Sequence, residues 1–301
     1  MTLKKSHPKV AIVVPVFNQK DLIIRFVESL REQDYPNLVL IVVDDASSDG
    51  TYTTLTKDYP DVTTLKGNGN LWWSGGTNKG IKFAIKEGAD YILTINHDVT
   101  IGRGYVSSLV TFAKKYPHAL VGSMVVDRQK PDSVWFFGAS YSMRTGENSH
   151  VLGKVSDFKE PQKSTWLTGM GVLVPVGVFD AIGYYDEANF PLYFGDADFS
   201  ERARRAGYDL WVNHKSIVYG DINENWIGRN VRRPKLRFIY DLFTLINSPF
   251  QWKTRSLYYK KYWPGNYRLA LLKVYTIGSA GIYFAYAKGL VRRVLGIEPR
   301  W

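Results

Sequence analysis

Three groups of acidic residues have the types and spacing needed to bind a metal ion or to remove a proton. They are the pair Asp44-Asp45, Asp98 in the sequence Asn96-His97-Asp98, and Asp196 and Asp198 in the sequence Gly195-Asp196-Ala197-Asp198. Carboxylate oxygens suit Mg²⁺ or Mn²⁺, and the oxygens of a diphosphate complete the coordination of such an ion. A carboxylate within hydrogen-bonding reach of a hydroxyl can act as its general base. The three groups together predict chemistry on a phosphorylated substrate.

Each group also has a purely structural interpretation. Asp44 and Asp45 can form a turn or cap a helix, Asp98 can form a turn, and an Asp at a helix start is a common N-cap. His97 is a second candidate metal ligand, although a histidine at such a position more often has other partners. The occurrence of three such groups favours the functional interpretation.

A loop rich in glycine and tryptophan, Gly67–Gly76 (GNGNLWWSGG), precedes a predicted helix. It matches neither a Walker A loop nor the G-x-G-x-x-G pattern. The amino terminus of the following helix can face phosphates. Trp72 and Trp73 are candidates for a sugar-facing role, with core packing as the alternative.

The segments around these groups alternate between strand and helix. Apolar runs predict strands, and helical spacing of apolar residues predicts the helices between them. The expected strands are Val10–Val16, Leu38–Val43, Val62–Leu65 and Tyr91–Ile95, and the expected helices are Asp21–Gln33, Thr51–Tyr59 and Thr77–Glu87. This order predicts an α/β fold with a mostly parallel central sheet. Ligands of such sheets bind outside the carboxyl ends of the strands, where the acidic groups lie.

The bulk composition narrows the classes of protein. The chain has 301 residues, a formal net charge of +11 and no cysteine, which excludes disulfides and cysteine chemistry. The amino terminus lacks an apolar signal core, and charges interrupt the apolar stretches before the ~20 residues that span a bilayer. We therefore expect a cytoplasmic protein with an anionic partner.

Basic and aromatic residues concentrate in the last third of the chain. Leu236–Ile246, Thr254–Tyr262 and Leu269–Leu295 are expected helices with aromatic faces and basic flanks. Such helices are typical of segments that lie on an anionic membrane surface. Packing on the first domain, or a homodimer contact, is the alternative. The expected domains are 1–228 and a helical extension at 229–301.

Four blocks of this sequence resemble the family 2 glycosyltransferases of GT-A fold. The blocks are Val14–Asn18, Val42–Gly50, Asn96–Asp98 and Gly195–Asp198. The loop Asn70–Gly80 resembles, more narrowly, bacterial polysaccharide rhamnosyltransferases and galactofuranosyltransferases. The resemblance covers roughly residues 8 to 222 and implies transfer of a sugar from a UDP- or dTDP-linked donor to a glycan or lipid-linked glycan in cell-surface polysaccharide synthesis. It also implies nucleotide-sugar binding in 1–100 and acceptor binding and catalysis in 101–228.

The resemblance also implies roles for individual residues. Asp196 takes the place of the catalytic base, and Asp98 that of the metal-binding residue, with His97 and Asp221 as further candidate ligands of Mn²⁺ or Mg²⁺. Donor nucleotide contacts are implied for Pro15, Phe17, Asp45, Gly75, Gly76, Asn78, Gly80 and Asn96. Donor-sugar or acceptor contacts are implied for Trp72, Trp73, Trp166, Thr168, Gly169 and Asp198.

Two positions depart from the family pattern. Asn96 or His97 stands where the first Asp of the metal motif is expected, so one strong carboxylate remains there. Relatives supply a histidine after a later strand, whereas here Asp221 follows Gly220, and His214 lies too early.

We expect an inverting displacement in which Asp196 deprotonates the acceptor. The competing hypotheses are a nucleic-acid-binding protein, a nucleotidyltransferase and a catalytically weak sugar-nucleotide-binding protein. No nucleic-acid-binding motif occurs in the sequence, so we expect no nucleic-acid partner.

Overall fold

A computed structural model describes residues 7–141, 148–222 and 237–295. These residues form two compact units. The first contains residues 7–141 and 148–221, and the second contains residue 222 and residues 237–295. The expected boundary at residue 228 lies outside the described residues, so that boundary stays a prediction.

The first hundred residues form the predicted parallel α/β layer. Its strands are β1 (Val10–Val16), β2 (Leu38–Asp44), β3 (Thr63–Lys66) and β4 (Tyr91–Thr94), and its helices are α1 (Lys20–Arg31), α2 (Thr51–Asp58) and α3 (Trp72–Lys86). The strands run parallel in the order β4-β1-β2-β3. Every residue of β1 is buried, as expected for a central strand covered on both faces.

Most of the further strands of the first unit extend this sheet with mixed directions, and two of them form a separate two-stranded sheet. The further strands are β5 (Val99–Ile101), β6 (Ala119–Asp127), β7 (Lys130–Phe136), β8 (Ala139–Tyr141), β9 (Asn148–His150), β10 (Gly153–Lys154), β11 (Gln162–Lys163), β12 (Val172–Pro175) and β13 (Asp209–Gly220). The helices are α4 (Tyr105–Lys115), a 3₁₀ turn (Val155–Asp157), α5 (Gly177–Ile182) and α6 (Gly195–Arg205). Strand β12 lies antiparallel between β4 and β6, whereas β13 is parallel to β6 and antiparallel to β5.

The antiparallel direction of β12 brings two distant segments to one edge of the sheet. Val172, the first residue of β12, pairs with Thr94, the last residue of β4. The segment that leads into β12 therefore meets the loop after β4. The carboxyl ends of β1, β2 and β4 lie at this same edge, which is where ligands of α/β sheets bind.

Helix α3 approaches β1 closely because glycines face the strand. A Cβ at Gly76 would lie 2.8 Å from the Pro15 Cβ, and one at Gly80 would lie 2.4 Å from the Val13 Cγ1. Both distances are shorter than side chains tolerate. These glycines therefore set how near the helix lies to the sheet.

Four helices make up the described part of the second unit. They are α7 (Phe238–Thr244), α8 (Trp252–Tyr262), α9 (Tyr267–Thr276) and α10 (Ala280–Val294). Aromatic rings hold them together: Phe238 stacks on Tyr286 at 5.0 Å, and Tyr275 contacts Phe243 at 5.3 Å and Trp252 at 5.0 Å between ring centroids. The aromatic residues expected on one face are thus largely used for packing within this unit.

The stretch Tyr267–Arg292 combines α9 with most of α10. By length and composition it is able to cross a membrane, and only 11% of its most apolar window is buried. Single charges still interrupt it before ~20 residues, as the sequence predicts, because Lys273 and Lys288 are separated by fourteen uncharged residues. Leu269, Leu272, Ile277, Phe284 and Val291 all lie exposed along it.

Replacing Gly80 by alanine tests the close approach of α3 to β1. Alanine favours a helix over glycine by about 1 kcal/mol, but overpacking against the buried Val13 costs about 1–3 kcal/mol. We expect a net loss of up to about 2 kcal/mol in the free energy of unfolding, measured by urea denaturation. Gly177→Ala is the matched control, since a Cβ there meets nothing within 4 Å. Equal stability of the two variants would contradict the proposed packing constraint.

Candidate active site

The Asp45 carboxylate organises the glycine-rich loop. Its Oδ1 accepts a hydrogen bond from the Gly69 backbone N–H at 2.8 Å, and its Oδ2 accepts from Leu71 at 2.8 Å and from Trp72 at 3.1 Å. Asp45 is 7% exposed. Its neighbour Asp44 is fully buried, and that burial raises the pKa of the Asp44 carboxyl. The two carboxylates of the pair therefore have different surroundings: Asp45 holds the loop through its side chain, whereas Asp44 contacts it through its backbone carbonyl, which accepts from the Gly67 N–H at 2.6 Å.

The loop after β1 leaves an aromatic side chain exposed beside this region. Phe17 is 54% exposed, whereas Pro15 is buried under α3. The next residue, Asn18, accepts a hydrogen bond from the Ser48 N–H at 2.8 Å, and its own N–H donates to the Ser47 Oγ at 2.8 Å. These bonds fasten the loop after β1 to the loop after β2.

Trp73 joins three parts of the candidate site. Its indole Nε1 donates a hydrogen bond to the Asn96 Oδ1 at 2.9 Å. The same ring lies against Gly169, where a Cβ would stand 2.8 Å from Cζ2, and packs edge-on to Tyr185 at 5.2 Å. The loop after β4 and the segment before β12 thus meet on this one ring. Trp72, by contrast, is 38% exposed.

The two carboxylates at the start of α6 have opposite surroundings. Asp196 is partly buried, and its Oδ2 accepts a hydrogen bond from the Gly169 N–H at 3.2 Å. Burial raises the pKa of its carboxyl above the usual range. Asp198 is completely buried and pairs with Arg202 at 2.8 Å. Arg202 also donates to the Ile182 and Tyr184 carbonyls. The implied sugar contact for Asp198 is therefore replaced by a structural ion pair.

Asp98 is exposed, and Arg128 links its backbone carbonyl to the carboxylate of Asp221. Arg128 donates one hydrogen bond to the Asp98 backbone carbonyl at 2.7 Å and another to the Asp221 carboxylate at 2.9 Å. His97 places Nδ1 3.2 Å from the Pro15 carbonyl. His214 lies within β13 and burial lowers its pKa. Within residues 7–141, 148–222 and 237–295, no three His, Asp or Glu side chains form a ready-made metal cage.

Several residues implied at the donor site lie in the interior of the first unit instead. Asn78 is 2% exposed, and its side chain bonds the Tyr185 backbone N–H and carbonyl and the Glu187 carboxylate. Gly76 and Gly80 face β1, and Gly75 is buried beside Leu71 and Glu187. Their expected contact with the donor is corrected to packing of α3 against the sheet and against the 185–187 loop.

The segment before β12 surrounds Gly169 with partly and fully buried residues. Thr168 is 8% exposed, and Trp166 is partly buried against Phe136 at 5.2 Å and His150 at 5.6 Å between ring centroids. The Leu167 N–H donates to the Ser200 Oγ of α6 at 3.0 Å. Two hydrogen bonds therefore join this segment to α6, one from Leu167 to Ser200 and one from Gly169 to Asp196.

Strained backbone marks the same loops. Among the described residues, four non-glycine residues have positive φ: Asn18 at 51°, Ala46 at 60°, Trp72 at 55° and Phe194 at 67°. Asn18 and Ala46 lie in the loops after β1 and β2. Trp72 is the first residue of α3, and Phe194 directly precedes α6. Such conformations cost about 1–3 kcal/mol each and cluster at functional sites. The backbone geometry thus marks this edge of the sheet independently of side-chain chemistry.

Sequence reasoning missed Tyr185, Glu187, Arg128 and Arg202. Tyr185 is buried between Trp73 and Phe199, and burial raises the pKa of its phenol beyond its ordinary value. An arginine four residues after Asp198 was a usable signal for the helical ion pair. The Asn78–Glu187 and Arg128–Asp221 contacts join residues 109 and 93 positions apart, which no local pattern indicates.

Comparison with known proteins identifies the family. Residues 11–183 match the glycosyl transferase family 2 profile. The chain belongs to glycosyl transferase family 2. This glycosyltransferase is 26% identical over 220 residues to an N-acetylglucosaminyl-diphospho-decaprenol L-rhamnosyltransferase of Mycobacterium tuberculosis, covering 65% of this chain and 70% of that protein. It is also 26% identical over 133 residues to a GalNAc(5)-diNAcBac-PP-undecaprenol beta-1,3-glucosyltransferase of Campylobacter jejuni, covering 44% and 43%.

Solved structures share the fold. The mannosyltransferase PcManGT from Pyrobaculum calidifontis, in complex with GDP-Man and Mn²⁺, superposes with a TM-score of 0.57 at 16% identity, covering 95% of this chain and 88% of that one. The expected GT-A architecture, with a mostly parallel central sheet and C-terminal helices, is thereby confirmed.

The contrast between Asp196 and Asp198 predicts opposite effects on stability. Asp198→Asn leaves Arg202 without its buried partner, so we expect a loss of about 3–5 kcal/mol in the free energy of unfolding. Asp196→Asn removes a carboxylate whose ionisation is disfavoured in the folded state, so we expect equal or greater stability at pH 7–8. Thermal unfolding of both variants and the wild type measures this.

The pH dependence of the Asp196 effect follows from the raised pKa. The folded protein binds the Asp196 proton more tightly than the unfolded chain, so ionisation at high pH destabilises it. Any stability advantage of Asp196→Asn should shrink as the pH falls through the raised folded-state pKa toward the ordinary Asp value. An advantage that grew on acidification would contradict the burial of this carboxylate.

Proposed function

We propose that this glycosyltransferase transfers a sugar with inversion from a UDP- or dTDP-linked donor to an acceptor hydroxyl, with Asp196 as the base. The observation that carries the proposal is the continuous contact from Asn96 through Trp73 and Gly169 to Asp196. These contacts join the candidate donor side to the candidate base at one edge of the sheet, which supports a shared site.

The surroundings of Asp196 suit a general base. A base is most effective when its pKa is near the working pH, and burial moves the pKa of Asp196 upward. The hydrogen bond from the Gly169 N–H fixes the orientation of the carboxylate at the amino terminus of α6. In the reaction Asp196 accepts the acceptor proton as the hydroxyl oxygen bonds to the anomeric carbon and the bond to the nucleoside diphosphate breaks.

Phe17 and Asp45 are the candidate contacts for the donor base. Phe17 offers an exposed aromatic face on which a base can stack. A carboxylate has about four acceptor positions, and the loop uses three of those of Asp45. One position remains for the N–H of a pyrimidine, which uracil and thymine both possess. Pro15 supports this region from beneath α3.

The residues around Asp98 fit a divalent cation that shares its coordination with the diphosphate. Asp98 has an exposed carboxylate, and the guanidinium of Arg128 bonds its backbone carbonyl and not its side chain. Asp98, and with it His97, would hold Mn²⁺ or Mg²⁺, whereas the candidate ligand Asp221 is paired with Arg128. The His97 Nδ1 contact to the Pro15 carbonyl is the kind of bond that orients a metal-binding histidine. A bound cation would stabilise the departing diphosphate.

The acceptor is proposed to be a lipid-linked glycan at the inner face of the cell membrane, in polysaccharide synthesis. Two relatives are named for acceptors joined by a diphosphate to decaprenol or undecaprenol. The exposed apolar side chains of α9 and α10, accompanied by Lys273, Lys288 and Arg292, suit an anionic lipid surface. Docking of a second copy through these helices, giving a homodimer, is the competing use of the same face.

Asp196→Asn tests the catalytic role directly. We expect turnover to fall roughly 10²–10⁴-fold, because a general base contributes about that factor, while binding of UDP with Mn²⁺ stays close to wild type. Asp209→Asn, which breaks only the exposed pair with Lys163, is the matched control and should retain turnover. Near-normal turnover of Asp196→Asn would remove it from the role. NMR of the product's anomeric configuration tests inversion, and absence of donor turnover by the wild type would favour a binding protein.

Replacing Phe284 and Val291 by serine tests membrane docking. Both side chains are exposed, at 73% and 58%, so folding should be preserved while co-sedimentation with phosphatidylglycerol vesicles is lost. Tyr240→Ser, at an equally exposed aromatic position of α7, should bind like wild type. Release by high salt indicates surface docking, whereas a requirement for detergent indicates a spanning helix. Failure of the wild type to bind at low salt would contradict the membrane proposal.

A further inference from the structure

Arg128 lies where three separate segments of the first unit meet. It directly follows β6, and its backbone N–H donates to the Gly220 carbonyl at the end of β13, at 2.9 Å. Its guanidinium donates through Nη1 to the Asp221 carboxylate at 2.9 Å, and through Nη2 to the Asp98 carbonyl at 2.7 Å and to the Tyr219 carbonyl at 3.3 Å. One side chain therefore connects the end of β6, the end of β13 and the residue before β5.

These contacts restrict where the Asp98 side chain can stand. From Val99 onward the chain is fixed by pairing of β5 with β13, in which Val99 lies opposite Gly220. Asp98 precedes that pairing and is exposed. The hydrogen bond from Arg128 holds the Asp98 carbonyl. It thereby fixes the orientation of the Asp98 backbone, which carries the carboxylate.

The planar guanidinium is suited to this task in a way that lysine is not. Its N–H groups point in fixed directions, so Nη1 and Nη2 engage Asp221 and Asp98 at the same time. Asp221 in turn holds the guanidinium through an ion pair whose side chains are 36% and 35% exposed. Arg128 and Asp221 thus form a bracket between the end of β13 and Asp98.

We propose that Arg128, held by Asp221, is a positioning residue that presets Asp98 for the divalent cation. This inference rests on the proposed role of Asp98 as a metal ligand. It reverses the simplest electrostatic expectation, in which a neighbouring positive charge only repels the cation. If Arg128 positions Asp98, removing Arg128 weakens cation binding. If Arg128 only repels the cation, removing it strengthens cation binding.

The affinity for Mn²⁺, alone and with UDP, distinguishes these outcomes and is measured by electron paramagnetic resonance of free Mn²⁺. Arg128→Gln and Arg128→Lys should each weaken Mn²⁺ binding about 10- to 100-fold, the usual effect of removing a residue that orients a metal ligand. The lysine variant keeps the charge, so its loss cannot come from changed repulsion. Arg31→Gln, which breaks an exposed pair with Asp61, is the matched control and should bind like wild type.

Asp221→Asn completes the test as a double-mutant comparison. If Asp221 acts through Arg128, its effect on Mn²⁺ affinity should largely disappear in the Arg128→Lys background. An effect that persists in full would make Asp221 a direct ligand and overturn its assigned role in the bracket. Thermal unfolding without metal should change little in Arg128→Lys, which separates positioning from general instability.

Three results would overturn the inference. They are unchanged Mn²⁺ affinity in both Arg128 variants, tighter binding in Arg128→Gln, and weakening that only tracks loss of folded protein. If Arg128→Gln does not fold, Arg128→Lys carries the comparison. Failure of the wild type to bind Mn²⁺ with or without UDP would instead overturn the proposed metal site, and with it the basis of this inference.

Discussion

The close contact of α3 with β1 is the constraint on which the candidate site depends. Because Gly76 and Gly80 admit the helix against Pro15 and Val13, the start of α3 reaches the loops at the carboxyl ends of β2 and β4. From there Trp73 contacts Asn96 and Gly169, and Asn78 fixes the loop that precedes α6. A wider separation between helix and sheet would disconnect these contacts together. The interior glycines thus influence the site without facing a ligand.

The candidate base illustrates the conflict between stability and function. Asp198, two residues from Asp196, has the ion pair and the burial that a structural carboxylate needs. Asp196 is instead held by backbone N–H groups in a place where its ionised form is disfavoured. Proteins tolerate such groups where activity requires them. The sequence Asp196-Ala197-Asp198 therefore contains one residue suited to chemistry and one suited to folding.

Patterns along the chain predicted what depends on local order. Apolar runs predicted the parallel strands, and the rule that ligands bind at strand ends placed Asp45 and Asp98 at one edge. The interior role of Asn78 was not predictable in this way, because polarity does not reveal which face of α3 it occupies. The partner of Arg128 lies 93 positions away, beyond any local signal. The single helix expected at Leu269–Leu295 was wrong in one respect: Gly278 lies in a break between α9 and α10.

The hydrogen bonds of Asp45 have a consequence for the energetics of donor binding. Ordering a free backbone costs about 1–2 kcal/mol per residue in conformational entropy. Three N–H groups of the glycine-rich loop are already fixed on one carboxylate, so this cost falls on folding and not on association. A ligand meeting a preorganised loop retains more of its contact energy as affinity. The loop can therefore carry several glycines and still be ordered before a ligand binds.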